Sequence, residues 1–125
     1  MSKQKILIVD DEESLVRAIK LNLEDTGKYE VHTETKGSRA LRAATEFQPD
    51  LIILDVIMPD RDGADVEKDL KGDERTANIP IIFLTAIATK EDTKDDGTFI
   101  GGRFVIAKPV PIDKLIDSIE KRLAQ

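Results

Sequence analysis

The sequence predicts an α/β fold, a single three-layer domain over residues 1–125 with a parallel sheet covered by helices on both faces. Two patterns carry that prediction. Short apolar runs rich in branched residues alternate with stretches whose apolar residues recur at helical spacing. Polar and charged residues stand at the ends of those runs, where an open sheet of this kind builds its ligand crevice.

The first run, Lys5–Asp10, reads as a buried strand. Leu15, Ile19 and Leu23 then repeat every fourth residue, with Val16 beside them, as on the inward face of a helix. Tyr29–Thr35 alternates Tyr29, Val31 and Thr33 with Glu30, His32 and Glu34, the pattern of a half-exposed edge strand. Ala40, Leu41, Ala44 and Phe47 form a second helical stripe. Ser38 after Gly37 is placed to cap it, and Gln48-Pro49-Asp50 to stop it. Leu51–Asp55 is the third strand, followed by a weakly marked helix whose face carries only Val66 and Leu70. Ile79–Thr85 and Arg103–Ala107 complete the strands. Ile112, Leu115, Ile116, Ile119 and Leu123 give the clearest helix, with Pro111 suited to its start. Right-handed crossovers allow the five-stranded order 2-1-3-4-5, which puts the crevice at the carboxyl ends of strands 1 and 3.

The chain is 40% hydrophobic and 35% charged, a globular balance, with a formal net charge of -6. That acidity argues against non-specific binding to nucleic acid, which needs clustered lysine and arginine. The absence of cysteine excludes disulfides, thiolate metal sites and cysteine nucleophiles. The longest apolar stretch, Ile79–Ala88, is about half of what a bilayer crossing requires. Met1–Lys5 carries no secretory pattern, so a cytoplasmic protein without membrane contact is expected.

In the order 2-1-3-4-5, Asp10, Asp11, Asp55, Thr85 and Lys108 converge on one edge of the sheet. Three carboxylates there repel by several kcal/mol per close pair at an effective dielectric of about 20. A divalent cation relieves the repulsion, and Mg2+ suits hard oxygen ligands, retained waters and phosphate oxygens best. Lys108 adds positive charge and Thr85 a hydroxyl. Taken singly, each residue has an ordinary reading: strand-end aspartates form turns and caps, Thr85 fits any strand, and Lys108 fits a surface turn. Their conjunction at the point where strand order reverses argues for a site. No G-x-x-x-x-G-K-[ST] loop offers a nucleotide site instead. His32, alone and mid-strand, is assigned a structural or solvated role.

Asp10-Asp11, the stretch Leu54-Asp55-x-x-Met58-Pro59-x-x-x-Gly63, Phe83-Leu84-Thr85-Ala86 and Ala107-Lys108-Pro109 resemble the receiver domain of two-component response regulators. The resemblance spans the whole chain and implies the flavodoxin-like fold of the chemotaxis regulators. It implies that Asp55 is the phosphoacceptor, with Thr85 closing on the phosphoryl oxygens and Lys108 pairing with Asp55 or its phosphate. Asp11, Asp55 and the backbone carbonyl of Ile57 would bind Mg2+ directly, and Asp10 through water. Lys108-Pro109 would be a cis peptide. The implied donor is a phosphohistidine on a sensor histidine kinase or histidine phosphotransfer protein, and small Ala86 leaves it access. The implied output is a downstream protein partner. No enzymatic activity is expected beyond self-catalysed phosphoryl acceptance and slow autodephosphorylation.

Two other readings stay open at this point. A haloacid-dehalogenase-type phosphatase also phosphorylates a strand-end aspartate, but it wants a second aspartate two residues on, where this chain has Ile57, and a cap insertion. A pseudo-receiver would bind partners without phosphorylation, against which the complete set of site residues argues.

The sequence departs from the family near the output face. Val105 stands three places before Lys108, where receivers usually carry a switching aromatic, and neighbouring Phe104 falls on the opposite strand face. The Thr85–Lys108 segment is about one residue longer than usual, which a bulge would absorb. Lys90–Gly97 offers no apolar anchor, predicting a short or mobile helix in Lys90–Gly102 and signalling through its reordering. Ile57 and Ile87 are apolar where they should flank the phosphoryl group, which predicts a long-lived aspartyl phosphate.

Overall fold

The computed structural model describes residues 2–86, 98–100 and 102–124. In chain order the elements are β1 (Gln4–Val9), α1 (Glu13–Asp25), β2 (Tyr29–Glu34), a 3-10 turn (Gly37–Arg39), α2 (Ala40–Phe47), β3 (Leu51–Asp55), α3 (Gly63–Lys71), β4 (Ile81–Thr85), β5 (Thr98–Ile100), β6 (Arg103–Ala107) and α4 (Ile112–Leu123). β1 pairs in parallel with β2 and β3, β3 with β4, and β4 with β6. The five parallel strands therefore take the expected order, with helices on both faces.

Strand side chains alternate between faces, and that alternation makes two cores. Ile6, Ile8, Ile53, Ile82, Leu84 and Ile106 pack with Val16, Ile19 and Leu23 of α1 and Leu115 and Ile119 of α4. Leu7, Val9, Ile52, Leu54 and Phe83 pack with Ala40, Ala43 and Ala44 of α2 and Val66 and Leu70 of α3. Small alanines let α2 sit close to the sheet. Among the described residues no helix is long and apolar enough to cross a membrane.

The sheet also holds a strand that the sequence reading did not place. β5 runs antiparallel to β6, with Thr98 opposite Val105 and Ile100 opposite Arg103, so the full order is β2-β1-β3-β4-β6-β5. The β4–β6 ladder runs unbroken from Ile82 opposite Phe104 to Thr85 opposite Ala107, so no bulge interrupts it. The β4–β6 ladder therefore holds no bulge of the kind expected, and Thr98–Ile100, inside the segment expected to carry a short or mobile helix, is strand. Residues 87–97, which carry the rest of that expectation and Ile87, lie outside the described residues. Phe104 is buried in the α1–α4 core, whereas Val105 packs against the α2–α3 core, as strand alternation required.

Helix ends also differ from expectation. Ser38 is not the cap of α2: the helix enters through the 3-10 turn, and neither its Lys36 nor Arg39 boundary residue makes a side-chain cap. The turn's amides are met instead by the carboxylate of Asp60, which accepts from Gly37 N at 3.1 Å and Ser38 N at 3.0 Å. At the other end Gln48 takes the left-handed conformation (φ 51°) and donates its N–H to Ala44 O, so the expected stop is in place. The weakly patterned α3 is held by Asp62, whose side chain accepts from Asp65 N at 3.1 Å, and by a two-pronged Arg61–Asp69 pair at 2.7 and 2.8 Å.

Candidate functional site

Parallel strands that start together also finish together, so the ends of β1, β3, β4 and β6 share one rim. Asp10 and Asp11 follow β1, Asp55 closes β3, Thr85 closes β4 and Lys108 follows β6. Lys108 N donates to Thr85 O at 2.9 Å, fixing the last two residues side by side. Asp10, Asp55 and Thr85 are buried, and Asp11 is exposed. One carboxylate oxygen from each of Asp10, Asp11 and Asp55 lies within 4.8 Å of the others.

Lys108 Nζ stands 2.7 Å from Asp10 Oδ2, 3.4 Å from Asp55 Oδ1 and 3.4 Å from Glu12 Oε1. Its contact with Asp10 Oδ2 is an ion pair by distance that lacks hydrogen-bond alignment, and among the described residues that oxygen has no hydrogen-bond partner. Asp10 Oδ1 accepts from Glu12 N at 3.0 Å. Burial pushes the Asp55 carboxyl up, the Asp10 charge pushes it further, Lys108 draws it partly back, and its bond with Asp11 raises it again, to about 6. Burial lowers the Lys108 ammonium, but Asp10, Asp55 and Glu12 outweigh that, so it holds its proton more tightly than an ordinary lysine.

A carboxyl pushed up to about 6 by burial and by Asp10, with only Lys108 drawing it back, marks a cluster in which one ammonium does not offset three carboxylates. The donor set fits a hard divalent ion: carboxylates on one rim, one of them open to water. Ile57 lies in the loop after β3 and is 59% exposed. His32 is on β2, its ring centroid 5.3 Å from that of Phe47 and away from the rim. Lys108-Pro109 is cis.

A family model for the response regulator receiver domain matches residues 6–120. The chain belongs to that family. This receiver domain is 35% identical over 119 residues to the DNA-binding dual master transcriptional regulator RpaA of Synechocystis, covering 95% of the chain but 48% of that protein. It is 35% identical over 121 residues to the polar-differentiation response regulator DivK of Brucella ovis, with 96% of both covered. The receiver thus spans about half the length of some curated relatives and nearly all of others. Among solved structures, the chemotaxis protein CheY4 of Vibrio cholerae matches with a TM-score of 0.82 at 30% identity, covering 97% of this chain and 99% of that one. The receiver domain of sensor histidine kinase PA1611 of Pseudomonas aeruginosa, solved with a magnesium ion in its active-site cleft, matches at 0.81 and 25% identity, covering 99% and 100%.

The sequence reading of this receiver missed two site-proximal residues. Glu12 reaches Lys108; the acidic run Asp10-Asp11-Glu12-Glu13 hinted at a further carboxylate, but no rule of spacing aims it. Asp60 joins two loops beside the rim, and no local pattern pairs it with residues more than twenty positions away.

Proposed function

We propose that residues 1–125 act as one phosphoacceptor receiver in the cytoplasm, taking a phosphoryl group on Asp55 and signalling to a downstream protein by a conformational change. The donor is a phosphohistidine on a sensor histidine kinase or histidine phosphotransfer protein. The observation that carries this reading is Asp55 buried in one cluster with Asp10 and Asp11, with the Lys108 ammonium 3.4 Å away. An Asp55 oxygen attacks phosphorus, the P–N bond breaks, and its electron pair leaves with the imidazole, which takes up a proton. Such transfers ask mainly for alignment and charge neutralisation. Lys108 would supply fixed positive charge, and the Thr85 hydroxyl would meet the acquired oxygens. Asp11, Asp55 and the Ile57 carbonyl would hold Mg2+, with Asp10 acting through water. When bound, the ion would neutralise the carboxylates and the transferring oxygens. The magnesium in the PA1611 receiver supports that assignment.

The modification is of the chain itself, so the domain is a signalling module rather than an enzyme with turnover. DNA binding named for RpaA belongs to that longer protein and is not assigned to this domain. Acetyl phosphate with Mg2+, followed by intact mass, tests the reading. One added phosphoryl group per chain is expected. No modification would favour a pseudo-receiver, and steady turnover of a phosphate ester would favour a phosphatase.

Two further outcomes follow from the roles assigned. Asp11→Ala should weaken Mg2+ binding, and the accompanying rise in melting temperature, more than Asp10→Ala, because Asp10 is buried against Lys108 and Glu12 N while Asp11 is open. Equal or reversed effects in a titration would contradict those roles. The aspartyl phosphate should be long-lived, because exposed, apolar Ile57 cannot orient a water. Ile57→Asn should speed hydrolysis several-fold, and slower hydrolysis would count against the idea.

A further inference from the structure

We infer that Asp60 is a positioning residue that sets the loop after β3, and with it the Ile57 carbonyl, by clamping that loop to the β2–α2 turn. The inference rests on the reading above, in which that carbonyl helps to hold Mg2+. The loop is closed at its base: Gly63 N donates to Val56 O at 2.7 Å, and Val56 N donates to Leu84 O at 3.0 Å. Ile57 itself projects into solvent, so its own packing does not fix its backbone. Its position depends on its neighbours. Met58 is buried in the α2–α3 core, and Arg61 is gripped by Asp69. These ties hold the loop to the sheet and to α3.

Asp60 reaches elsewhere. Its two carboxylate oxygens accept from two successive amides, Gly37 N and Ser38 N. A charged acceptor on two backbone donors makes a stronger and better-oriented tie than a neutral one. The two backbones also meet closely: a Cβ on Gly37 would lie 2.5 Å from the Arg61 carbonyl oxygen and 3.1 Å from Met58 Cε. Because β2 and β3 flank β1, a contact between their following loops bridges the end of β1, where Asp10 and Asp11 stand. The clamp therefore spans the strand end that Asp10 and Asp11 follow. Without it, residues 57–60 lose their outer anchor, and an ordered ligand carbonyl becomes one that must be ordered when the ion binds.

Amide NMR titrations of the full chain with Mg2+ test this, because each sample reports its fold and its affinity together. Asp60→Ala should stay folded and bind Mg2+ about tenfold more weakly. Gly37→Ala, which disturbs the same contact without touching the charge, should weaken binding in the same direction. Phosphorylation of Asp60→Ala by acetyl phosphate should be slow at low Mg2+ and reach the wild-type rate at saturating Mg2+. An unchanged Mg2+ affinity in folded Asp60→Ala, even with a lower melting temperature, would reduce Asp60 to a helix cap and overturn the inference. So would a rate that stays low at saturating Mg2+. If the alanine variant does not fold, Asp60→Asn, which keeps one acceptor oxygen, must show an intermediate loss, and wild-type affinity there also overturns it. Asp11→Ala separates the two levels: if it too leaves affinity unchanged, the ion is not held at this rim and both readings fall.

Discussion

Asp55→Asn should abolish phosphoryl uptake from acetyl phosphate and from a phosphohistidine donor, lowering the rate by at least about three orders of magnitude. The substitution removes the nucleophilic oxygen and almost nothing else. Asparagine matches aspartate in shape, and Asp55 sits at the end of β3 with its backbone in the sheet, so circular dichroism should be unchanged. In the proposed reaction Lys108 and Thr85 would act on the group being transferred, so their loss should slow uptake without eliminating the acceptor. Phosphoryl incorporation at the wild-type rate in Asp55→Asn, measured by intact mass, would place the acceptor elsewhere.

The same substitution should stabilise the metal-free protein at neutral pH. The folded state holds the Asp55 carboxyl at about 6, above the ordinary 3.8, so folding favours the protonated form. The stabilising contribution is thus fully present below pH 4 and is lost as pH rises through about 6. At neutral pH the raised carboxyl therefore opposes folding, which an uncharged asparagine does not. In chelator, Asp55→Asn should therefore exceed wild type in urea midpoint at pH 7.5, and the two should converge near pH 4. Mg2+ should erase the difference by favouring the ionised carboxylate. Parallel pH profiles for the two proteins would show that the carboxyl is not strained by its surroundings.

The sheet order and the converging rim were legible because both follow from local periodicity plus a topological rule. Short branched apolar runs such as Leu51–Asp55 read as buried strands by their length and composition, and the runs of β1, β3 and β4 close on Asp10, Asp55 and Thr85, with Lys108 just after β6. β5 was less legible. Phe99-Ile100-Gly101-Gly102-Arg103-Phe104 carries two short β-prone runs across a Gly-Gly pair, a hairpin signal, but the acidic stretch before it turned attention to a helix. The capping error at Ser38 has a different cause. Its carboxylate partner, Asp60, comes from a loop brought near only by the completed sheet, and pairings at that separation leave no mark on local spacing. The Arg103–Glu67 pair, with Nη2 2.8 Å from Oε1, joins β6 to α3 in the same long-range way.

β5 also bears on how copies of this chain behave when crowded. An all-parallel sheet ending at β6 would offer a five-residue ribbon of unpaired amides and carbonyls, a template on which a neighbouring molecule could add a strand. The three-residue β5 occupies the stretch opposite Arg103–Val105 and reverses the direction of the outermost strand. A second molecule then meets a short antiparallel border in place of a long parallel one, with little length over which to lock a register. At the far side of the sheet, β2 exposes Glu30, and a second copy added there would bring like carboxylate charges together. Self-assembly by strand addition is thus discouraged at both borders, at one by brevity and at the other by charge.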